Sequence, residues 1–169
     1  MKDIEDDTTG KYLALARQIG TAKVSFPDEI IYGTILPGGF ANLAYDGQYF
    51  FDSDHNIGLS GNQSNLITAK LGPTGFNEAI NLFYQFKDDQ GRPINPNLDL
   101  EVVVPWQLRA TAAALFDAKT LSGGADNPNY KAATWKVNPW LTDANQWYVI
   151  NKTPGLKPFV FVKRLEKDL

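Results

Sequence analysis

Asp99-Leu-Glu-Val-Val-Val-Pro-Trp-Gln-Leu-Arg-Ala-Thr-Ala-Ala-Ala-Leu-Phe-Asp-Ala-Lys119 decides the fold. The β-branched run from Val102 to Val104 is too short for an independent helix. It has no polar alternation, so it reads as a strand buried on both faces. Pro105 has no amide proton to lose and suits the first turn of the helix that follows. Leu108, Ala112, Leu115 and Phe116 give that helix one apolar side, while its alanines keep helix propensity high and permit close packing.

Downstream, Leu121 to Asn129 carries two glycines, Asp126 and Pro128 and reads as a loop. Trp135 and Val137 then alternate with Thr134, Lys136 and Asn138, the pattern of a half-buried strand. Gln146 to Ile150 and Pro158 to Lys163 are two more expected strands, joined through the turn-type sequence Asn151-Lys-Thr-Pro-Gly155.

Upstream, Tyr12, Ala16, Ile19, Lys23, Phe26 and Ile30 recur at helical spacing from Thr8 onward, with Leu15, Ala22 and Ile31 widening the stripe. Pro27 is expected to kink or restart this helix, since it cannot donate to the carbonyl of Lys23. Pro37-Gly38-Gly39 ends it. Residues 38–72 form a long polar connection with Tyr49, Phe50 and Phe51 as a short strand candidate. Gly72 and Pro73 open a second helix bearing Phe76, Ile80, Phe83 and Lys87, which stops at Asp88-Asp-Gln-Gly91. Arg92 to Pro96 reads as an extended linker. The expected class is α+β, with helices leading and a small, mostly antiparallel sheet trailing.

A chain of 169 residues with 43% hydrophobic residues can bury roughly two-thirds of its unfolded surface in one compact unit, with two small lobes as the upper limit. Sixteen basic residues against 19 acidic ones give a net charge of -3, which disfavours binding to nucleic acid or an anionic membrane through bulk charge. Cysteine is absent, so disulfides, thiolate metal sites and cysteine nucleophiles are excluded, as suits folding in a reducing compartment. No run approaches the about 18 apolar residues of a membrane helix, and the acidic start Met1-Lys-Asp-Ile-Glu-Asp-Asp is unlike a secretory signal.

The inventory for catalysis is thin. His55 is the single histidine, and Asp52, Asp54, His55 and Asn56 form the one constellation that resembles a metal site. Compared with a calcium loop beginning at Asp52, Ile57 stands where the turn glycine belongs and Gln63 where the closing glutamate belongs, so a hydrogen-bonded turn is the expected role. No G-x-S-x-G is present, and Gly38-Gly39 and Gly123-Gly124 lack the surroundings of a phosphate cradle. Trp135 and Trp147 sit in strand patterns and are expected in the core. Trp106, beside Pro105, is expected to cover the strand-to-helix joint. Trp140, between Pro139 and Leu141, is expected at the surface, where aromatics suit subunit contacts.

Taken in order, the chain resembles the Mu-like prophage major head subunit family, which has the HK97-type capsid fold. The resemblance rests on Asp28-Glu-Ile-Ile-Tyr-Gly33, Phe50-Phe-Asp-Ser-Asp-His-Asn56, the helix from Phe76 to Asp88 with Gly91-Arg-Pro-Ile-Asn95, and Leu100-Glu-Val-Val-Val-Pro105. It continues through the alanine-rich helix, Asn127-Pro-Asn-Tyr130, Val137-Asn-Pro-Trp-Leu141, Trp147-Tyr-Val-Ile150 and Lys157-Pro-Phe-Val-Phe161. It implies an HK97-like fold, with a peripheral-domain-like part over 1–98 that carries the spine helix and an axial-domain-like strand, helix and sheet unit over 99–169.

The resemblance also implies a role by assembly. Copies of the chain would form hexamers and pentamers of a shell around double-stranded DNA, without sequence-specific binding and with no membrane partner. A scaffold protein is a further implied partner, and no cofactor, catalytic residue or metal ligand is expected. Trp106, Asn127, Tyr130 and Trp140 are the expected subunit-interface residues. The implied location is the virion head, after assembly in the host cytoplasm. Family members are about twice this length, so the chain is expected to be a fragment. Two other functions fit the residues less well: a ligand module using Trp106 and Trp140, and a metal-dependent enzyme centred on Asp52, Asp54 and His55.

Overall fold

The computed structural model describes residues 10–153, 159, 160 and 162. Helix α1 spans Lys11–Ile30 with Pro27 inside it. The helix runs through Pro27 without a restart. Lys23, whose carbonyl loses its partner, is exposed, so water can take the place of the missing bond. The irregularity falls later, in a π-helical stretch over Ile31–Ile35 that closes with the Leu36 amide donating to Ile31. A last turn, Leu36–Gly38, ends the rod where Pro37 and the glycines were expected to end it.

The connection that follows is held by polar bonds within itself and to Lys87, Asp88 and Asp89 beyond the next helix. Tyr49 to Phe51 form no strand; Tyr49 makes only an isolated bridge to Leu43. Strands β1 (His55–Asn56) and β2 (Asn62–Gln63) pair antiparallel instead. Helix α2, Pro73–Gln85, starts behind an extended Gly72 with Pro73 in its first turn and ends when Phe86 turns extended.

Strand β3, Leu100–Val104, is the centre of a three-stranded sheet in the order β4-β3-β5, with β4 at Thr134–Val137 and β5 at Tyr148–Asn151. β3 runs antiparallel to β5, as expected, but parallel to β4, so the sheet is mixed. The crossover through a 3-10 turn (Trp106–Leu108) and helix α3 (Arg109–Phe116) returns the chain to the same edge in the same direction, which a tight hairpin cannot do. The expected strand from Pro158 to Lys163 falls largely outside the described residues, and Phe159, Val160 and Val162 lie in no strand.

Two cores sit on the two faces of β3. On one, Val102 and Val104 pack with Phe76, Ala112, Leu115 and Phe116. On the other, Val103 packs with Tyr32, Leu36, Leu141 and Tyr148. The three valines are fully buried, each worth about 2 kcal/mol in apolar burial, and this makes the unbroken β-branched run necessary. Phe76 meets Phe116 edge to face at 4.8 Å, so α2 and α3 share a core drawn from both sides of position 98.

Candidate functional site

The chemistry-bearing residues of the connection are engaged locally. His55 Nδ1 lies 2.6 Å from Asp46 Oδ2, an anchor between positions nine residues apart. The hydrogen bond from His55 holds the Asp46 carboxyl below its ordinary range. Asp52 and Asp54 do not join this pair: the Asp52 carboxylate accepts from the Ser53 amide, and the Asp52 amide donates to Asn65 Oδ1. No three His, Asp or Glu side chains gather among the described residues. His55 Nε2 is buried and meets no hydrogen-bond partner there, so no hydroxyl is placed for activation by the pair. Asp46 was the unrecognised member; its one sequence signal is the Asp46-Gly47 turn pair.

The expected interface residues are placed in three different ways. Trp106 stands at the C-terminal end of β3 with 70% of its surface exposed, so it presents its ring outward rather than sealing the joint. Trp140 is half-buried in the second core, with its Cβ 3.9 Å from where a side chain on Gly33 would begin. Asn127 is buried and works inside the chain. It donates to the carbonyls of Leu115 and Ala118 at the end of α3, and its Oδ1 accepts from the Asn129 amide. Tyr130 remains exposed, with Lys131 Nζ 5.2 Å from its ring centroid. Lys131 has φ of 56°, and its amide donates to the Phe116 carbonyl, which fixes this corner of the loop.

Trp135 and Trp147 are half-buried against the first core, and each indole N–H has a partner: the Asp117 carboxylate and the Ala69 carbonyl respectively. Neither is a free stacking platform.

Helix α1 carries an uncovered apolar surface. None of its residues is buried, and Leu13, Leu15, Ile19, Val24 and Phe26 are exposed along it. The sequence showed the stripe at helical spacing but not that the stripe would lack a cover. At its far end the rod is clamped to the sheet. Tyr32 is buried beneath Lys136, which also reaches Glu101 Oε1 at 2.8 Å. Burial depresses the Lys136 ammonium, but Glu101 and Tyr32 outweigh it and leave the group above its ordinary range. No helix among the described residues is long and apolar enough to cross a membrane. These surfaces suit contacts between proteins better than the handling of a small substrate.

Comparison with known proteins agrees with this reading. The family model of the Mu-like prophage major head subunit gpT matches residues 1–76 and 64–141. The Mu-like prophage FluMu major head subunit of Haemophilus influenzae is 33% identical over 159 residues, covering 88% of this chain and 50% of that protein. The major capsid protein of Escherichia phage Mu is 36% identical over 72 residues, 38% of this chain and 23% of that protein. The chain therefore spans half, or less, of the length of these relatives. Among solved structures, the bacteriophage JBD30 capsid superposes with a TM-score of 0.67 at 22% identity, covering 83% of this chain and 71% of that one. The JBD30 capsid decorated with minor capsid protein trimers gives 0.65 at 23% identity, covering 83% and 70%. The fold is that of these capsid subunits, and the chain belongs to the Mu-like prophage major head subunit family.

Proposed function

We propose that this chain works by assembly, as a structural subunit that associates with copies of itself in a phage head and carries out no catalytic step. The observation that carries the reading is α1: a 20-residue helix with no buried residue and an exposed apolar stripe needs a protein surface to cover it. Its relatives are named as head and capsid proteins, and His55 and Asp52, the candidates for chemistry in the connection, are engaged in local hydrogen bonds.

Trp106 and Tyr130 are the proposed contact side chains. Asn127 and Trp140 support that surface from beneath, one by pinning the loop and the other by packing under Gly33. The 1–98 and 99–169 parts would serve as peripheral and axial elements of the subunit. A head made of such subunits would enclose double-stranded DNA without reading its sequence, as a net charge of -3 suits, and would use a scaffold protein during assembly in the host cytoplasm.

Light scattering and negative-stain microscopy of the chain, alone and mixed with its full-length Haemophilus relative, test this. Association beyond the 18.7 kDa monomer, or entry into the relative's particles, is expected, with loss in Leu15→Glu/Ile19→Glu and weakening in Trp106→Ala. A chain that stays monomeric at high concentration and is excluded from those particles overturns the reading.

A further inference from the structure

Asp46-Gly47 is the single Asp-Gly step in the chain, and Asn-Gly does not occur. An aspartate before glycine carries a built-in reaction, because the following amide nitrogen has no Cβ beside it and can reach the side-chain carboxyl carbon. The Gly47 nitrogen bonds to Asp46 Cγ, while a carboxyl oxygen leaves as water with the amide proton and a proton from solvent. Water then adds to the main-chain carbonyl of the cyclic imide and breaks its bond to the Gly47 nitrogen. The product is isoaspartate, of unchanged mass, in which the main chain runs through Cγ and is longer by a methylene.

Both partners of that reaction are tied elsewhere in the folded chain. Asp46 Oδ2 accepts from His55 Nδ1 at 2.6 Å and Oδ1 accepts from the Gln48 amide at 3.2 Å, which fixes the plane of the carboxylate. The Gly47 amide donates to the Ala44 carbonyl at 3.2 Å, inside a turn that the Ala44 amide closes on Gln48 at 2.7 Å. Asp52 is arranged the other way, with Oδ1 2.7 Å from the Ser53 amide that would attack it. His55 is set by the pairing of β1 with β2, and its Nε2 is buried. Among the described residues the ring's one polar contact is Asp46, so a buried nitrogen is left without a partner in order to hold that carboxylate. The same bond keeps the Asp46 carboxyl below its ordinary range and ionised, the form an amide nitrogen attacks least readily.

We propose that Asp46-Gly47 is a site of spontaneous isoaspartate formation that His55 holds shut in the folded chain. The reaction needs the Gly47 nitrogen poised over Asp46 Cγ, and that arrangement is reached only after the carboxylate has left His55 and the turn has opened. A converted chain loses the latch, because the added methylene moves the carboxylate away from Nδ1 and disturbs the bridge between Leu43 and Tyr49 that flanks the turn. The modification therefore marks copies whose 44–48 turn stayed open, and His55 keeps closed copies unmarked.

The test incubates the full chain for weeks in warm neutral buffer, folded or in guanidinium chloride. Isoaspartate at positions 46 and 52 is counted by electron-transfer fragmentation, which separates the two backbones at equal mass. In guanidinium, position 46 should convert faster than position 52, and in the folded chain position 46 should slow by about tenfold or more. His55→Phe keeps a ring but no donor and should raise conversion at 46 about tenfold while leaving 52 unchanged; His55→Gln, whose amide can donate in place of Nδ1, should recover most of the protection. Near-UV circular dichroism checks that each variant is folded, and His55→Leu serves if His55→Phe is not; the comparison of folded chain with guanidinium needs no variant. Conversion at 46 that is as fast in the folded chain as in guanidinium overturns the proposal. So does a folded donor-free variant that converts at the unmodified rate, or one that speeds 46 and 52 alike, which is general loosening.

Discussion

Lys136 Nζ lies 5.5 Å from the centroid of the Tyr32 ring, and this pair joins the end of the α1 rod to the sheet. Lys136 sits on β4 and Tyr32 in the π-helical stretch, positions far apart in sequence whose attraction exists only when the rod is docked. Lys136→Met and Tyr32→Leu should each destabilise the chain. A double-mutant cycle in urea should return a coupling of about 0.5–2 kcal/mol, the range of a partly desolvated cation over an aromatic face. Additive effects would mean that the rod is held by packing alone.

Gly75 and Gly20 should respond oppositely to alanine. A Cβ on Gly75 would collide with the backbone carbonyl of Lys70, which no rotamer change can relieve. A Cβ on Gly20 meets nothing within 4 Å in the middle of α1. Gly75→Ala should lower the thermal midpoint markedly, and Gly20→Ala should stabilise by about 0.5–1 kcal/mol through helix propensity. Differential scanning calorimetry reads both.

Burial, with Asp143 nearby, pushes the Tyr148 hydroxyl up to about 12, and the hydroxyl donates to Gln146 Oε1 at 3.1 Å. The unfolded tyrosine ionises near 10, so the folded state holds its proton more tightly. The resulting stability is fully present below about pH 10 and is lost as pH rises toward 12, a loss on the order of 1–2 kcal/mol after allowance for solvent screening. Tyr148→Phe should flatten stability against pH in that window, as followed by urea unfolding at pH 9 to 11.5.

Asn127→Ala removes two donations to the end of α3 and leaves the carbonyls of Leu115 and Ala118 without that partner. A cost of about 1–3 kcal/mol is expected, together with faster amide exchange in the loop from Lys119 to Lys131. Asn127→Asp should be no milder, because a carboxylate cannot donate to those carbonyls.

Much of this was legible in the chain. Val102 to Val104 declared a doubly buried strand, and Pro105 and the alanines declared the helix after it, because each rests on local chemistry that packing reinforces. The parallel partnership of β3 and β4 was not legible, since strand direction depends on the path of the crossover and not on either strand's composition. Pro27 does not end α1, because the carbonyl that its ring leaves unpaired stands in solvent there. Asn127 and Trp140 read as surface residues from their loop neighbours. Their burial comes from α3 and from Gly33, contacts that no window of sequence contains. His55 was legible as a turn anchor, but Asp46, nine residues back, was not.

The position of β3 between two later strands also sets an order of events during synthesis. Its partners begin at Thr134 and Tyr148, so a strand of valines must wait for some 30 to 50 further residues before either edge or either face is complete. Helix α1 needs only its own neighbours and can form as it emerges, whereas the sheet closes late through distant contacts, the slow and aggregation-exposed step of such a topology. That interval is when a wrong partner is most available. A chaperone that shields Val102 to Val104 until Asn151 has been made would raise the yield of folded chain without affecting its final stability.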